Sequence, residues 1–186
     1  MSLSEDKQAA RKAAFAARKT AFGVEGLADR AADRLAEVLQ GFRGLTVAGY
    51  MPIRTEVDPR PAMLRHDGPL CLPVVEGEAR PLGFRPWSAA AEMIPGAFGA
   101  AIPAETTAVI PQVVILPLVA FDARGYRLGY GGGFYDRTLE LLRAQGPVTA
   151  IGFAFAAQEL PQVPIESTDE LLDLMVTEQG VLGPFA

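Results

Sequence analysis

The chain has 186 residues, 49% of them apolar and 21% charged, which suits one globular domain with a real core and excludes a disordered segment. Seventeen basic against 22 acidic residues leave a net charge of -5, so the electrostatic footprint of a duplex-binding protein is missing and no nucleic-acid partner is expected. One cysteine and one histidine make neither an internal disulfide nor a zinc site of the usual type, so a metal would be held by carboxylates, as Mg2+ is.

In chain order, the N-terminus (MSLSEDKQAARKAAF) starts polar and develops no apolar h-region of a signal peptide. No apolar run approaches the ~20 residues of a membrane span. A soluble cytoplasmic protein without a membrane partner is therefore expected. Ser2 and Glu5 have capping-box spacing, and an alanine-rich helix follows to about Thr20. Leu27, Ala31, Leu35, Val38 and Leu39 recur at helical spacing and predict a second helix with one buried face. LTVAGY (45–50) is a short strand candidate, and Asp58-Pro59 opens a short helix that His66 closes as a favourable cation. PLCLPVV and ARPLGF read as a hairpin across EGE, with Cys71 a buried small hydrophobe.

Residues 85–108 read as a long irregular stretch. Val113 to Phe121 (VVILPLVAF) is the most hydrophobic strand candidate, apolar enough to be covered on both faces. A glycine-rich loop follows, then a helix from about Phe134 to Arg143, a strand in VTAIGFAF and a final strand in LLDLMVTE. Strands alternating with helices predict an α/β fold, three-layer and Rossmann-like, with a mostly parallel sheet flanked by helices.

The loop RLGYGGGFYDR places Gly129, Gly131, Gly132 and Gly133 between a strand and a helix N-terminus. Free N–H groups and the helix dipole favour an anion there, and bare backbone lets phosphate approach. Arg124 and Arg127 are candidates for charge-assisted contacts to it. The loop matches neither the P-loop, for want of its lysine, nor the dinucleotide fingerprint, because Phe134 stands at its third glycine. A tight turn needing positive φ explains one or two of these glycines but not four. Asp136, in the first turn of the helix, either complements the dipole or holds Mg2+ beside bound phosphates.

LPLVAFDARGYRLGYGGGFYDR resembles the signature of the 5-formyltetrahydrofolate cyclo-ligase family, also called methenyltetrahydrofolate synthetases. GYMPIRTEVDPRP, FGAAIPAE and IGFAFAAQELPQVPIESTDELLDLMVTE resemble further blocks of that family, and Lys7 and Arg11 have its Lys-x-x-x-Arg spacing. Leu118 stands where the signature has glycine, Phe134 where tyrosine is common, and Ser167-Thr168 where histidine is frequent.

The resemblance implies one cyclo-ligase domain over residues 1–186 that converts 5-formyltetrahydrofolate to 5,10-methenyltetrahydrofolate, using ATP and Mg2+. Lys7, Arg11, Arg127, Leu128, Gly129, Tyr130, Gly131, Gly132, Gly133, Phe134 and Tyr135 would hold ATP. Arg127 and Tyr135 would have catalytic roles. Met51 and Glu56, with Tyr130 to Phe134, would meet the folate, and Asp136 and Asp169 would hold Mg2+. Tyr50, Phe84, Trp87 and Phe98 are candidate walls for its rings, or core. A monomer is the expected state. Two other readings stand beside this one: the same loop serving another formyl or carboxyl substrate, and a non-catalytic nucleotide sensor. A sensor does not need two metal-binding carboxylates.

Overall fold

In the computed structural model, which describes residues 2–185, the chain opens with α1 (Leu3–Phe22) and α2 (Leu27–Leu39). The capping box is formed: Glu5 N–H donates to the Ser2 hydroxyl at 3.4 Å and Ser2 N–H donates to the Glu5 carboxylate at 2.6 Å. There follow β1 (Val47–Ala48), α3 (Arg60–Met63), β2 (Leu70–Val75), β3 (Leu82–Pro86), β4 (Met93–Pro95) and β5 (Ala101–Pro103). After them come β6 (Val113–Pro117), β7 (Ala120–Phe121), β8 (Arg127–Leu128), α4 (Phe134–Gln145), β9 (Thr149–Phe153), β10 (Leu174–Val176) and β11 (Val181–Leu182).

The main sheet has seven strands in the order β11-β10-β9-β6-β1-β2-β3. The five from β10 to β2 are parallel, and β11 and β3 are antiparallel edges. Taken alone, the parallel strands run 2-1-3-4-5 in chain order, a doubly wound arrangement. The three-layer α/β expectation is met. On one face Leu35 and Leu39 of α2 and Met63 of α3 pack with Val113, Ile115 and Phe153. On the other, Leu139 and Leu142 of α4 pack with Val114, Leu116, Ala150 and Met175. Alternate residues of β6 therefore enter different cores, which is why the strand reads as continuous apolar sequence. Each fully buried Leu or Ile contributes about 2 kcal/mol of apolar transfer.

Three sequence expectations need correction. VVILPLVAF is not one strand. β6 ends at Pro117, where the Gln158 side-chain amide donates to the carbonyls of Leu118 and Val119, both at 3.0 Å, and draws them from the sheet. The chain then re-pairs as the β7–β8 hairpin, so Arg127–Leu128 within the expected loop is strand. Residues 85–108 are not irregular throughout, because Met93–Pro95 pairs antiparallel with Ala101–Pro103. The LLDLMVTE strand is not the last, because β11 adds an antiparallel edge beyond it.

Only the end of α1 reaches a sheet-face core, through Ala21. Its Ala14 packs with Val119, Ala120, Leu128 and Val163, so the helix lies against the β7–β8 hairpin, beyond the carboxyl end of β6. Among the described residues no helix is long and apolar enough to cross a membrane.

Candidate active site

Strand order reverses between β1 and β6, and in doubly wound sheets ligands gather outside the carboxyl ends at such a switch point. The segments leaving these two strands are 49–58 and 118–136, and they carry most of the candidate residues. After β1, the buried Tyr50 donates its hydroxyl to the Val57 carbonyl at 2.7 Å and closes the loop that presents Met51 and Glu56. Arg54 within it is left-handed at φ 54°, a strained conformation for a residue with a side chain. Glu56 is 5% exposed and accepts from Ile53 N–H at 2.8 Å and Tyr130 O–H at 2.8 Å. Burial pushes its carboxyl above the usual range, against the pull of those two donors and of Arg18 and Arg54.

After β6, the hairpin delivers the chain to the glycine loop. Gly131 at φ +104° and Gly133 at φ +62° occupy backbone that L side chains rarely adopt. A Cβ on Gly132 would stand 2.8 Å from the Phe134 ring. A Cβ on Gly129 would meet nothing within 4 Å, so the protein itself gives no reason for glycine there. α4 starts directly after Gly133 with no side-chain cap, which leaves its first N–H groups facing outward. Arg11 closes over the loop, donating from Nε to the Gly129 carbonyl at 2.8 Å, with its guanidinium 3.3 Å from the Cβ position of Gly131. Arg137 donates to the Gly132 carbonyl.

The two candidate metal carboxylates come within one segment of each other. Asp136 Oδ1 accepts from Arg127 Nη2 at 2.7 Å and from Glu170 N–H at 3.0 Å. Asp169 Oδ2 accepts from Lys7 Nζ at 3.0 Å and from Glu166 N–H at 2.7 Å. Each thus keeps one oxygen without a protein partner among the described residues. No group of three or more His, Cys, Asp or Glu side chains able to hold a metal forms among them.

Arg127, buried, donates from Nη1 to the Glu170 carbonyl at 2.5 Å besides its contact to Asp136. Burial drives the Tyr135 phenol well above its ordinary value and the nearby Glu56 charge adds to it, so at neutral pH Tyr135 keeps its proton. Phe134 packs edge-on with Phe98 at 6.0 Å, and Phe98 is 73% exposed. Tyr50 and Phe84 are core, and Trp87 packs on the core from its edge. Arg124 does not serve the loop. It forks onto the fully buried Asp122 at 2.6 Å and reaches the Val163 carbonyl at 3.1 Å. His66 contacts the Leu45 carbonyl at 2.9 Å and stands apart from these residues, while burial pushes the Cys71 thiol up to about 12.

Sequence reasoning missed Arg18. It is 1% exposed, donates to Thr55 Oγ1 at 3.0 Å and to Tyr130 Oη at 2.8 Å, and lies over the rings of Phe15 and Tyr130. The signal was present: Lys7, Arg11, Ala14 and Arg18 are spaced four, three and four apart, one stripe of a helix. Three cations on the inward stripe of α1 mark a face that meets polar partners: carboxylates at Lys7, a backbone carbonyl at Arg11 and two hydroxyls at Arg18.

Comparison with known proteins gives a consistent result. The sequence pattern of the 5-formyltetrahydrofolate cyclo-ligase family matches residues 3–178. The chain is 44% identical over 70 residues to the 5-formyltetrahydrofolate cyclo-ligase of Escherichia coli K12, a segment spanning 38% of either protein. It is 29% identical over 178 residues to that of Mycolicibacterium smegmatis, covering 86% of this chain and 88% of the relative. The fold is similar to the solved 5,10-methenyltetrahydrofolate synthetase of Aquifex aeolicus, with a TM-score of 0.73, 29% identity, and coverage of 97% and 93% of the two chains. The synthetase of Mycoplasma pneumoniae is similar in fold, with a TM-score of 0.68 and 24% identity over 93% of this chain and 99% of that one.

Proposed function

The chain belongs to the 5-formyltetrahydrofolate cyclo-ligase family, and we propose that, as one domain, it converts 5-formyltetrahydrofolate to 5,10-methenyltetrahydrofolate with ATP as co-substrate. The observation that carries this reading is the closure of Arg11 onto the bare backbone of Gly129 and Gly131, just ahead of the uncapped start of α4. Free N–H groups, a positive helix end and a guanidinium fork make a seat for phosphate oxygens.

The reaction needs such a seat. A formyl oxygen on nitrogen is a weak nucleophile and a poor leaving group. Transfer of the γ-phosphoryl group forms a P–O bond to the formyl oxygen as the bond to the β-phosphate oxygen breaks and ADP leaves. N10 then attacks the formyl carbon and gives up its proton to the departing phosphate as the C–O bond breaks. The chain contributes position and charge rather than a covalent nucleophile. Arg11, Lys7 and the N–H groups of residues 131–135 bind and orient the phosphates. Met51, Glu56 and the Tyr130–Phe134 segment hold the folate, and Tyr135 donates a hydrogen bond as a neutral phenol. Arg127 fixes Asp136, to which it donates at 2.7 Å, and would lend its guanidinium to the charge that develops on the transferring group. Asp136 and Asp169 would hold Mg2+, which when bound neutralises phosphate charge.

The test is direct: purified protein given 5-formyltetrahydrofolate, ATP and Mg2+ should generate the methenyl chromophore, with no signal when any one is left out. Folded, ATP-binding protein that yields no chromophore would overturn the assignment.

A further inference from the structure

Arg18 and Glu56 are both nearly removed from water, and they do not meet; the phenol of Tyr130 stands between them. A guanidinium only donates hydrogen bonds. Arg18 Nη1 at 2.8 Å therefore occupies a lone pair of the Tyr130 oxygen, and the single phenol proton goes to Glu56 Oε1 at 2.8 Å. Arg18 also donates to Thr55, the residue before Glu56, so it grips the same loop twice. Its own position is fixed by the Phe15 and Tyr130 rings, whose centroids are 5.6 Å apart.

The groups facing Glu56 are Arg18 and Arg54, which favour its charge, and the phenols of Tyr50, Tyr130 and Tyr135, whose own ionisation its charge opposes. Burial works against the charged carboxylate. A protonated Glu56 would turn one acceptor oxygen into a donor and present the wrong pattern to a ring that offers paired N–H groups.

We propose that Arg18 is a positioning residue of the formyl-folate subsite: acting through Tyr130, it keeps the Glu56 carboxylate charged and held in one orientation to accept hydrogen bonds from the paired N–H donors of a pterin-type ring. This rests on the reading above that Glu56 meets the folate. Tyr130 also belongs to the glycine loop, so the relay joins the folate side of the site to the phosphate side.

The experiment uses the whole chain, with wild type assayed first; absent turnover there would sink the activity and leave the relay to be judged in the substrate-free protein. In that protein the Glu56 side-chain carboxyl is titrated by 13C NMR. Arg18→Met should raise its midpoint by about one pH unit, and Tyr130→Phe should raise it as well. In steady-state assays Arg18→Met should raise KM for 5-formyltetrahydrofolate about tenfold or more and change KM for ATP less than about twofold. Because Arg18 acts through Tyr130, the double variant should show a folate KM within about twofold of the worse single variant. Arg18→Lys should restore the Glu56 midpoint but only part of the folate KM, since it keeps the charge and loses the fork. Should Arg18→Met fail to fold, Tyr130→Phe, at a residue 40% exposed, carries the Glu56 titration. An unmoved Glu56 midpoint, equal rises in both KM values, or losses that multiply in the double variant would each overturn the proposal.

Discussion

Gly129→Ala separates two reasons for bare backbone. Gly129 lies outside the left-handed region, and an added Cβ would meet nothing within 4 Å. In the free protein the change is therefore unstrained, and stiffening the unfolded chain should stabilise the fold by about 0.4–1 kcal/mol. For a chain of this size that is a rise of roughly 1–4 °C in Tm. If ATP phosphates lie against this backbone, the methyl group takes their space. A displacement of about 1 Å can cost up to ~100-fold in rate, so a loss of at least about tenfold in kcat/KM for ATP is expected, near 1.4 kcal/mol. Gly133→Ala should behave in the opposite way. Its φ of +62° costs about 1–2 kcal/mol with any Cβ, and the added atom would stand 2.8 Å from Arg137 Nη1, so Tm should fall by roughly 2–8 °C. The pair is measured by calorimetric melting and by methenyl absorbance against ATP concentration. Unchanged kcat/KM for ATP in Gly129→Ala would refute the view that ligand, rather than backbone geometry, keeps that position bare.

Asp136→Asn keeps an oxygen to accept from Arg127 and Glu170 N–H but removes the counter-charge of the buried Arg127, so Tm should fall while the fold is kept, and the Mg2+ concentration for half-maximal activity should rise about tenfold or more; an unchanged Mg2+ dependence would make Asp136 a structural charge only. Asp122→Ala leaves the buried Val163 N–H without its acceptor at 2.8 Å, which costs about 2 kcal/mol and should lower Tm by roughly 4–8 °C. Burial alone would raise the Asp122 carboxyl, but donors from Arg124 and Val163 outweigh it and hold the group below its ordinary value. Its contribution is therefore complete above the unfolded value near 3.9 and is lost as pH falls through the lower folded one, so Asp122→Asn should flatten the decline of Tm below about pH 4. An equally steep acid decline in the variant would count against that pairing.

The sheet was legible because strands covered on both faces advertise themselves as unbroken apolar runs, and β6 and β9 carry such runs. The same property hid the end of β6. Apolar sequence continues from Pro117 to Phe121, and what breaks the strand is an amide at Gln158, about forty residues on, that takes the carbonyls of Leu118 and Val119. Periodicity within a window cannot report a partner so far away. Arg124 misled for the converse reason. Its partner Asp122 is two residues off, and a carboxylate that caps Arg124 N–H at 2.9 Å and takes the guanidinium as well makes a closed local unit. Arg18 was missed because the reading stopped at Lys7 and Arg11, although a buried cation seven residues further on continues the same face.

Placement of the candidate site follows from strand order and charge together. The switch lies between β1 and β6, and α1 runs from the β7–β8 hairpin, beyond the carboxyl end of β6, to the core beside α2, where its Ala21 is buried. Asp136, Asp169 and Glu170 would repel a nearby phosphate if they were unopposed. Each instead has its cation: Arg127 for Asp136, Lys7 for Asp169, Arg143 for Glu170. Lys7 and Asp169 are 162 positions apart, so the first helix completes the charge balance of an acidic segment near the C-terminus. The glycine loop has a mixed origin: φ fixes Gly131 and Gly133, an aromatic ring fixes Gly132, and only at Gly129 does bare backbone await a reason outside the chain.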